Sequence, residues 1–520
     1  MLFDRRQPLE VALHARGELV ALGLQKPELR FLASARAGLP GPRSRAADEA
    51  RPFRCNQDDD RRREQGDEGP AHASILDTRP QGVTVGLSYS RRVRIAALAV
   101  VAILGAALHP GGAHAAEQTL VFRSAAITIP GYGVAQSYAL VPSPTLDGYV
   151  TSMSADVVDA NGASVPITRV MLHHVVFAKL GTPDATCSRF RDYDGRVTPV
   201  PVERFYGAGE ERATLDLPAG YGYPNRGSDR WGLVYMLMNH KAVTRTVYVQ
   251  YTVRYVTGEM LTPVRPYWLD VKNCRADPIF DVPGTGPMFS TVARSVTFTM
   301  PESGRIVAGG GHLHGGGLRL DLSDDTCGTR LFRSEPTWGL PLVKPVVHEP
   351  GPKHMTEVST ASGIPVSAGD RLRLTAVYEN SRPHTRVMGI MLVYLAAGPV
   401  SRCARVPPLP ADPLSHPSAP PRVTIPLFKQ PVGPWERVLA SSVGDFAYSV
   451  QRVVLRHGST FRWRFAGPSR HDVTLANGPI GFSSPSVASG SFSFRFTKPG
   501  VYRLYCSLHP TTMTQVVTVR

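Results

Sequence analysis

The chain has 520 residues, of which 42% are apolar and 8% aromatic, with 48 glycines and 46 prolines. This length allows about three domains of roughly 150 residues, and abundant glycine and proline favour short strands and turns over a helical bundle. The formal net charge is +16, yet the basic residues form neither a basic helix nor a zinc-finger pattern. We therefore expect no nucleic-acid partner, although the charge suits an acidic partner or an anionic surface.

Residues 1–89 are polar and lack a periodic apolar pattern, so we predict that they are disordered or belong to an over-extended gene model. In residues 90–116, three arginines precede the apolar run Ile95–Leu108, and small residues of the Ala-x-Ala type follow. This order is typical of a secretory signal peptide. The run is shorter than the ~20 residues of a membrane-spanning helix. We expect a secreted or extracytoplasmic protein, with a membrane anchor and cell-surface association as the alternative.

Five cysteines follow this segment: Cys187, Cys274, Cys327, Cys403 and Cys506. We assign Cys506 to a metal motif described below. The other four are an even number in an exported chain, which favours two disulfides. Four cysteines allow three connectivities. Pairing of Cys274 with Cys403 is attractive because it would join both ends of one domain.

Short segments of alternating apolar and polar residues follow one another from Leu120 onward, separated by proline and glycine. This period of two predicts the strands of β-sandwiches, and we find no convincing amphipathic helix. A proline-rich linker, 404–422, is expected to be an extended, semi-rigid spacer. The predicted fold is all-β, with two consecutive jelly-roll-like sandwiches (117–282 and 283–403) and a third sandwich (423–520).

The last sandwich carries Cys506, His509 and Met513 in one short loop before a strand, and His471 further upstream. A blue-copper site needs two imidazoles and one thiolate in a plane, with a weak axial thioether. The pattern Cys-x2-His-x3-Met with an upstream histidine supplies these four ligands. A zinc site is the lesser alternative, because zinc usually takes more thiolates or no thioether.

These four residues resemble those of the plastocyanin/pseudoazurin-like cupredoxins, and the resemblance covers residues 423–520. It implies a Greek-key β-sandwich that holds one type 1 copper and transfers single electrons, with His509 as the electron port. We therefore expect an electron-donor or electron-acceptor protein, or a small reductant, as the partner. The sequence leaves the oligomeric state open.

Two histidine pairs stand out in the central region: His173-His174, and His312-Leu313-His314 between two glycine triplets. In a strand, His-x-His places both imidazoles on one face, where they can chelate one metal. Adjacent histidines point to opposite faces, so His173 and His174 can share a metal only across a bulge or bend. The flanking glycines let a metal or a substrate approach the backbone.

His240 and Met388 complete an order of motifs: His-His, a lone strand histidine, His-x-His, and a methionine before an apolar strand. This order resembles the copper type II, ascorbate-dependent monooxygenases, such as peptidylglycine hydroxylating monooxygenase, and also the stress-up-regulated Nod19 proteins. The resemblance implies two further mononuclear coppers. One would be an electron reservoir held by His173, His174 and His240, and the other would be the catalytic centre held by His312, His314 and Met388.

The chain departs from the peptide-hydroxylating relatives at two positions. Gly310 stands where they have an arginine that clamps a substrate carboxylate, and Leu392 stands where they have a tyrosine. A glycine-extended peptide substrate is therefore not expected, and His348, His354 and His384 are alternative ligands. Two functions stay open: a two-copper monooxygenase that hydroxylates a C–H bond and carries a fused electron-transfer domain, and a non-catalytic copper-binding or electron-transfer protein whose central sandwiches bind a partner or metal.

Overall fold

The computed structural model describes residues 116–193, 195–272, 274–339, 349–421, 428–444 and 446–520. The predicted disordered N-terminus and signal peptide, up to residue 115, lie outside the described residues. Every regular element of the described residues is a strand, which confirms the all-β prediction. Within the same residues, no helix has the length and apolar composition needed to cross a membrane.

The first group of strands spans residues 116–270. It consists of β1 (Ala116–Arg123), β2 (Ile127–Ile129), β3 (Val134–Val141), β4 (Gly148–Val158), β5 (Val170–Leu180), β6 (Val202–Gly209), β7 (Leu215–Asp216), β8 (Tyr221–Asn225), β9 (Trp231–Asn239), β10 (Arg245–Thr257) and β11 (Thr262–Asp270). One sheet has the order β3-β9-β5-β6, and β1, β10, β4 and β8 belong to a second. The core between them includes Phe177, Trp231 and Tyr251. Along β10, alternate residues are buried over most of the strand, as a period of two requires.

The second group spans residues 280–397. It consists of β12 (Phe280–Val282), β13 (Thr291–Thr299), β14 (Gly304–Leu313), β15 (Gly317–Asp324), β16 (Thr329–Ser334), β17 (Pro336–Thr337), β18 (His354–Met355), β19 (Glu357–Val366), β20 (Arg371–Glu379), β21 (His384–Val387) and β22 (Gly389–Ala397). A sheet in the order β13-β20-β15-β16 shares a core with β11, β22, β14 and β19. Leu320, Ile364 and Leu374 are fully buried there.

One long sheet runs through both sandwiches, in the order β1-β10-β4-β8-β11-β22-β14-β19. The junction is a short parallel contact in which Thr262 of β11 lies opposite Tyr221 of β8. We placed β11 in the first sandwich, yet it pairs along most of its length with β22, and its Tyr267 and Leu269 enter the second core. The boundary between residues 282 and 283 stays a prediction, because the sheet is continuous past it.

The C-terminal sandwich has two four-stranded sheets. Its strands are β23 (Ala440–Gly444), β24 (Ala447–Tyr448), β25 (Arg452–Leu455), β26 (Thr460–Phe465), β27 (Thr474–Asn477), β28 (Gly490–Arg495), β29 (Gly500–Tyr505) and β30 (Thr514–Val519). The sheet orders are β24-β23-β26-β28 and β25-β30-β29-β27. Phe461, Trp463 and Val517 are fully buried between them.

The C-terminal sandwich packs directly against the central region. Ser483 donates hydrogen bonds to the Asp281 carboxylate from its backbone nitrogen (2.6 Å) and from its hydroxyl (2.8 Å). The Thr385 hydroxyl donates to the Leu475 carbonyl at 3.0 Å. All described residues therefore belong to one compact unit.

The proline-rich linker lies on the second sandwich. Its residues 404–421 form no strand, but Val406 and Leu409 pack against the second core. The Asp412 carboxylate lies 2.6 Å from His354 Nε2 and accepts a hydrogen bond from the Glu357 backbone nitrogen at 2.8 Å. The segment that we predicted to be a spacer is thus held along its described length.

Two disulfides form, as predicted, but the pairing that we favoured is wrong. Cys187 pairs with Cys274, and Cys327 pairs with Cys403, with Cα atoms 5.4 and 5.3 Å apart. Cys187 lies in the loop after β5, and Cys274 lies in the loop that follows β11. Cys403 follows β22 and meets the turn between β15 and β16. The disulfide partners are determined by strand pairing between distant parts of the chain. They are not determined by which cysteines stand at the two ends of one predicted domain.

Candidate metal centres

The first candidate centre lies in the loop between β29 and β30. Cys506 follows β29 directly, and Met513 directly precedes β30. The Cys506 backbone nitrogen donates to the Met513 carbonyl at 3.1 Å, and the Met513 nitrogen donates to the His509 carbonyl at 3.0 Å. These bonds close the loop. His471 faces the loop from the segment before β27, where it bridges to Val487.

The structure brings three of the four predicted ligands to one point. His471, Cys506 and His509 each place a donor atom within 4.8 Å of the other two. The His471 and His509 Nδ1 atoms are 3.2 Å apart, and Cys506 Sγ lies 3.5 Å from His509 Nδ1. Cys506 is a free, buried cysteine, and Met513 is buried in the same core. This donor set fits a thiolate-bound copper ion.

Burial sets the protonation of these ligands. It raises the pKa of the Cys506 thiol, with a further contribution from the charge of Asp472. Burial also lowers the pKa of His509 to about 4, helped by His471. A neutral imidazole offers its lone pair at neutral pH, whereas the thiol must lose its proton to the solvent when a metal binds.

Asp472 is a buried residue next to the predicted ligands. Its carboxylate accepts hydrogen bonds from the Ser507 backbone nitrogen (2.9 Å), the Ser507 hydroxyl (2.5 Å) and the Thr474 hydroxyl (2.9 Å). Its own backbone nitrogen points at Cys506 Sγ, 3.5 Å away. Asp472 therefore ties together the two segments that carry the predicted ligands. No sequence pattern marks an aspartate for this role.

Arg386 links this loop to the second sandwich. It donates to the Asp277 carboxylate at 3.0 Å, and its other terminal nitrogen lies 3.6 Å from the Asp472 carboxylate. Burial lowers the pKa of Arg386, but the two carboxylates outweigh it and raise that pKa. A buried guanidinium between the buried Asp472 and the partly buried Asp277 stays charged and connects the sandwiches.

The second candidate centre contains four of the predicted histidines. His173 and His174 lie in β5, where the pairing with β9 shifts in register between Leu172 and His174. Such an irregularity lets adjacent side chains turn toward each other. The two Nδ1 atoms are 3.0 Å apart. The strand irregularity that His173 and His174 need in order to share one metal is therefore present.

His312 lies near the end of β14 and His314 directly follows that strand, close to the first pair. Their Nε2 atoms are 3.1 Å apart. The rings of His173 and His314 meet edge to face, with centroids 4.7 Å apart. We define the histidine cluster as His173, His174, His312 and His314, and we call the space between their four rings the chamber.

Polar partners orient two rings of the histidine cluster. Both carboxylate oxygens of Glu211 lie 3.0 Å from His312 Nδ1, which directs Nε2 into the chamber. The Tyr193 hydroxyl lies 3.2 Å from His174 Nε2, which directs Nδ1 inward. Outer partners of this kind fix the tautomer of metal-binding histidines. Glu211 is 101 residues from His312, so no local motif could identify it.

The same surroundings set the protonation of the histidine cluster. Burial, followed by the charge of His312, lowers the pKa of His174 to about 3. Burial also lowers the pKa of His312, but the Glu211 carboxylate outweighs it and raises that pKa. His174 is therefore neutral at physiological pH and can donate a lone pair to a metal.

His240 directly follows β9, the strand that pairs with β5. Its backbone nitrogen donates to the Arg169 carbonyl at 2.9 Å, and Arg169 precedes His173 by four residues, which is about 13 Å along a strand. The backbone of His240 therefore lies away from that of His173, and the set of His173, His174 and His240 stays a prediction.

The histidine cluster opens on one side to a cavity of about 300 Å³, which we call the large cavity to distinguish it from a smaller one on the other side of the cluster. His174, His312 and Met388 line the large cavity, so the predicted methionine lies beside both histidine pairs. Its apolar wall includes Val176, Tyr206, Trp268, Ile390, Leu392 and Tyr394, and residues 410–413 of the linker also contribute to the lining. The volume and lining suit a small organic molecule.

Glu357 is a carboxyl group in the wall of the large cavity. Burial raises its pKa to about 8, so the group is mostly protonated and uncharged at neutral pH. A Cβ added at Gly310 would lie 3.1 Å from the Glu357 Cγ. The position at which the peptide-hydroxylating relatives carry an arginine therefore faces a neutral carboxyl here.

A smaller cavity of about 40 Å³ lies on the other side of the histidine cluster. His173 and His314 line it together with Tyr505 and Ser507, the two neighbours of Cys506. The histidine cluster thus lies between the large cavity and the loop of the first candidate centre.

The alternative histidines have other partners or lie elsewhere. His384 is buried, with Nδ1 2.5 Å from Glu349 and Nε2 2.8 Å from Glu379. His354 pairs with a linker carboxylate, and His348 lies outside the described residues. Both ring nitrogens of His384 therefore already face carboxylates, although His384 also lines the smaller cavity with His173 and His314.

Comparisons with known proteins support copper as the metal. The chain is 26% identical over 279 residues to the probable copper-dependent oxygenase M1 of Phoma sp., which covers 50% of this chain and 66% of the relative. It is also 26% identical over 267 residues to the probable copper-dependent oxygenase clz3 of Cochliobolus lunatus, covering 47% and 79%. No protein-family model matches the chain. The predicted resemblance to copper oxygenases is confirmed, and a match of this length extends beyond the C-terminal sandwich.

Similar solved structures are cupredoxins. A purple cupredoxin from Nitrosopumilus maritimus is 25% identical and covers 16% of this chain and all of its own, with a TM-score of 0.15. The P52G mutant of amicyanin, in its reduced Cu(I) form, is 22% identical and covers 16% of this chain and 84% of its own, also with a TM-score of 0.15.

Proposed function

We propose that the protein is an exported, copper-dependent oxygenase whose C-terminal type 1 copper domain delivers electrons to copper bound by the histidine cluster. One observation carries this proposal. Two members of the histidine cluster line the large cavity, and the other two share the smaller cavity with the neighbours of Cys506. A substrate in the large cavity and an electron from the Cys506 loop therefore reach the same four side chains.

The reaction is the hydroxylation of a C–H bond with O2. One oxygen atom enters the substrate and the other leaves as water, which consumes two electrons and two protons. The electrons come from an external donor, either a protein or a small reductant, and enter singly through the C-terminal domain. Bound copper supplies the one-electron redox steps and the activation of O2.

The residues of the chain perform the remaining tasks. Glu211 and Tyr193 orient the histidine rings, and the apolar wall of the large cavity excludes water from the reacting groups. Arg386, between Asp277 and Asp472, holds the C-terminal domain against the cluster. The signal-peptide pattern supports export.

The lining of the large cavity favours a mainly apolar substrate. A protonated Glu357 can donate a hydrogen bond to a carbonyl or hydroxyl group, whereas it offers no counter-charge to a carboxylate. Two arginines also line the large cavity: Arg204 pairs with Asp184 at 2.8 Å, and Arg275 is exposed.

Reoxidation of the blue copper by O2 tests this function. The full chain is loaded with copper, reduced with ascorbate and mixed with O2 while the thiolate band near ~600 nm is followed. We expect the band to return at least about 10-fold more slowly in His312→Ala than in the wild type, because copper ligation in the cluster is damaged. His416→Ala, on the exposed linker, is the matched control and should match the wild type. Equal rates in wild type and His312→Ala would contradict the proposal.

A further inference from the structure

We propose that the histidine cluster is one binuclear copper centre, in which His173 and His174 chelate one ion and His312 and His314 chelate the other. This inference rests on the proposed function and replaces the two separate mononuclear sites that the motif order implied. It also changes the predicted division of labour. The two ions would together accept electrons and face the substrate. Neither ion would be an electron reservoir distant from the ion at which the substrate reacts.

The distances within each pair fit chelation. Nitrogens that bind one ion at about 2 Å, with an angle of roughly 100° between them, lie about 3 Å apart. The separations are 3.0 Å for the Nδ1 atoms of His173 and His174, and 3.1 Å for the Nε2 atoms of His312 and His314. Each pair therefore already has the spacing of two ligands on one ion.

In two of the four rings, the nitrogen that points away from the cluster already has a polar partner. Glu211 faces His312 Nδ1 and Tyr193 faces His174 Nε2. The nitrogen turned into the chamber is thus the ligand atom in each case, and each pair has one member whose tautomer is fixed from outside. The two pairs are built alike, although they come from different sandwiches.

The spacing between the pairs favours two adjacent ions over one shared ion. The His173 and His314 rings touch at 4.7 Å between centroids, which puts both chelating pairs in one chamber. Among the described residues, groups of three donors that converge within 4.8 Å occur at Cys506 and at Cys327, and not in the histidine cluster. Cys327 is in a disulfide. The four histidines therefore offer two neighbouring points of chelation.

The test uses the full chain with Cys506→Ala, which removes the blue site and leaves the histidine cluster intact. The protein is loaded with Cu(II), its copper content is measured, and its EPR spectrum is integrated and searched for a half-field transition. We expect about two coppers per chain, with a half-field signal and less integrated intensity than two isolated ions give.

Further substitutions in this background show whether the two ions communicate. His314→Ala should remove one copper and also change the EPR parameters of the ion held by His173 and His174. His173→Ala should do the reverse. His240→Ala is the matched control, and it should keep both coppers and the half-field signal.

Two coppers with the full intensity of isolated ions, or a His314→Ala variant whose remaining copper is spectrally unchanged, would overturn the binuclear centre but leave a copper oxygenase in place. Loss of one copper in His240→Ala would overturn it in the same way. A Cys506→Ala chain that binds no copper would overturn both proposals.

Discussion

At the scale of single residues, Cys506 shows how burial couples metal binding to protonation. Because burial raises the pKa of its thiol, the free protein holds the proton at pH 7, and a metal must displace it. We predict that copper binding at pH 7 releases about one more proton from the wild type than from Cys506→Ala. Titration calorimetry in buffers of different ionisation enthalpy measures the difference. Equal proton release would show that Cys506 is not a ligand.

Glu211 is the carboxylate that holds His312, and we predict that it positions this ligand. Glu211→Gln keeps the size of the side chain but removes the charge that orients the imidazole. Copper affinity of the central region should fall about 10- to 100-fold, and the EPR parameters of the remaining central copper should change. Glu259→Gln, at an exposed position, is the control. Unchanged affinity and spectrum in Glu211→Gln would contradict this role.

Glu357 gives a prediction about pH. Burial raises its folded-state pKa from the ordinary value of 4.5 to about 8, so its contribution to stability is present below pH 4.5 and is lost as the pH rises through about 8. Between pH 5.5 and 8.5, the wild type should therefore lose more unfolding free energy than Glu357→Gln does.

Urea denaturation of both proteins at the two pH values measures this difference. Glu259→Gln should follow the wild type. If the free energy of unfolding fell equally in Glu357→Gln and in the wild type, Glu357 would have an ordinary pKa.

At the scale of elements, the end of β6 leaves room for the histidine cluster. A Cβ at Gly209 would lie 2.5 Å from the His312 ring and 2.7 Å from a Glu211 oxygen. Gly209→Ala should therefore displace both side chains and lower the copper content of the central region, while the blue band near ~600 nm persists.

Gly398→Ala is the matched control, because a Cβ there would meet no described atom within 4 Å. Copper analysis and optical spectra of the two variants provide the comparison. Normal copper content in Gly209→Ala would contradict the placement of His312.

The elements also show what a sequence can and cannot predict. The alternation of apolar and polar residues predicted strands such as β10. The candidate ligands of the Cys506 loop could be recognised directly because they are close together in the sequence. The meeting of His173 with His314 could not be predicted, because it depends on the junction of β8 with β11 and on pairings far apart in the chain. The same long-range pairings explain why the disulfide partners of Cys274 and Cys403 were missed.

At the scale of the whole molecule, Arg386 joins the C-terminal domain to the central region. Arg386→Met would remove the guanidinium that faces Asp277 and Asp472. Breaking a fully buried ion pair typically costs about 3–5 kcal/mol, which is an upper bound here because Asp277 is only partly buried. We predict faster hydrogen exchange across this interface and slower reoxidation of the blue copper.

Arg386→Lys should be intermediate, because it keeps the charge but not the forked geometry. Arg305→Met, at an exposed position, should behave as the wild type does. If hydrogen-exchange protection and the rate of blue-copper reoxidation were unchanged in Arg386→Met, the docking of the C-terminal domain would not depend on this residue.

Copper content with optical and EPR spectra of the full chain and of Cys506→Ala tests the central claim most directly. We expect about three coppers and a thiolate band at ~600 nm in the full chain, and loss of the band with about two coppers retained in the variant. A variant that loses the band and all of its copper would show that the central sandwiches hold no metal, and would contradict the proposed function.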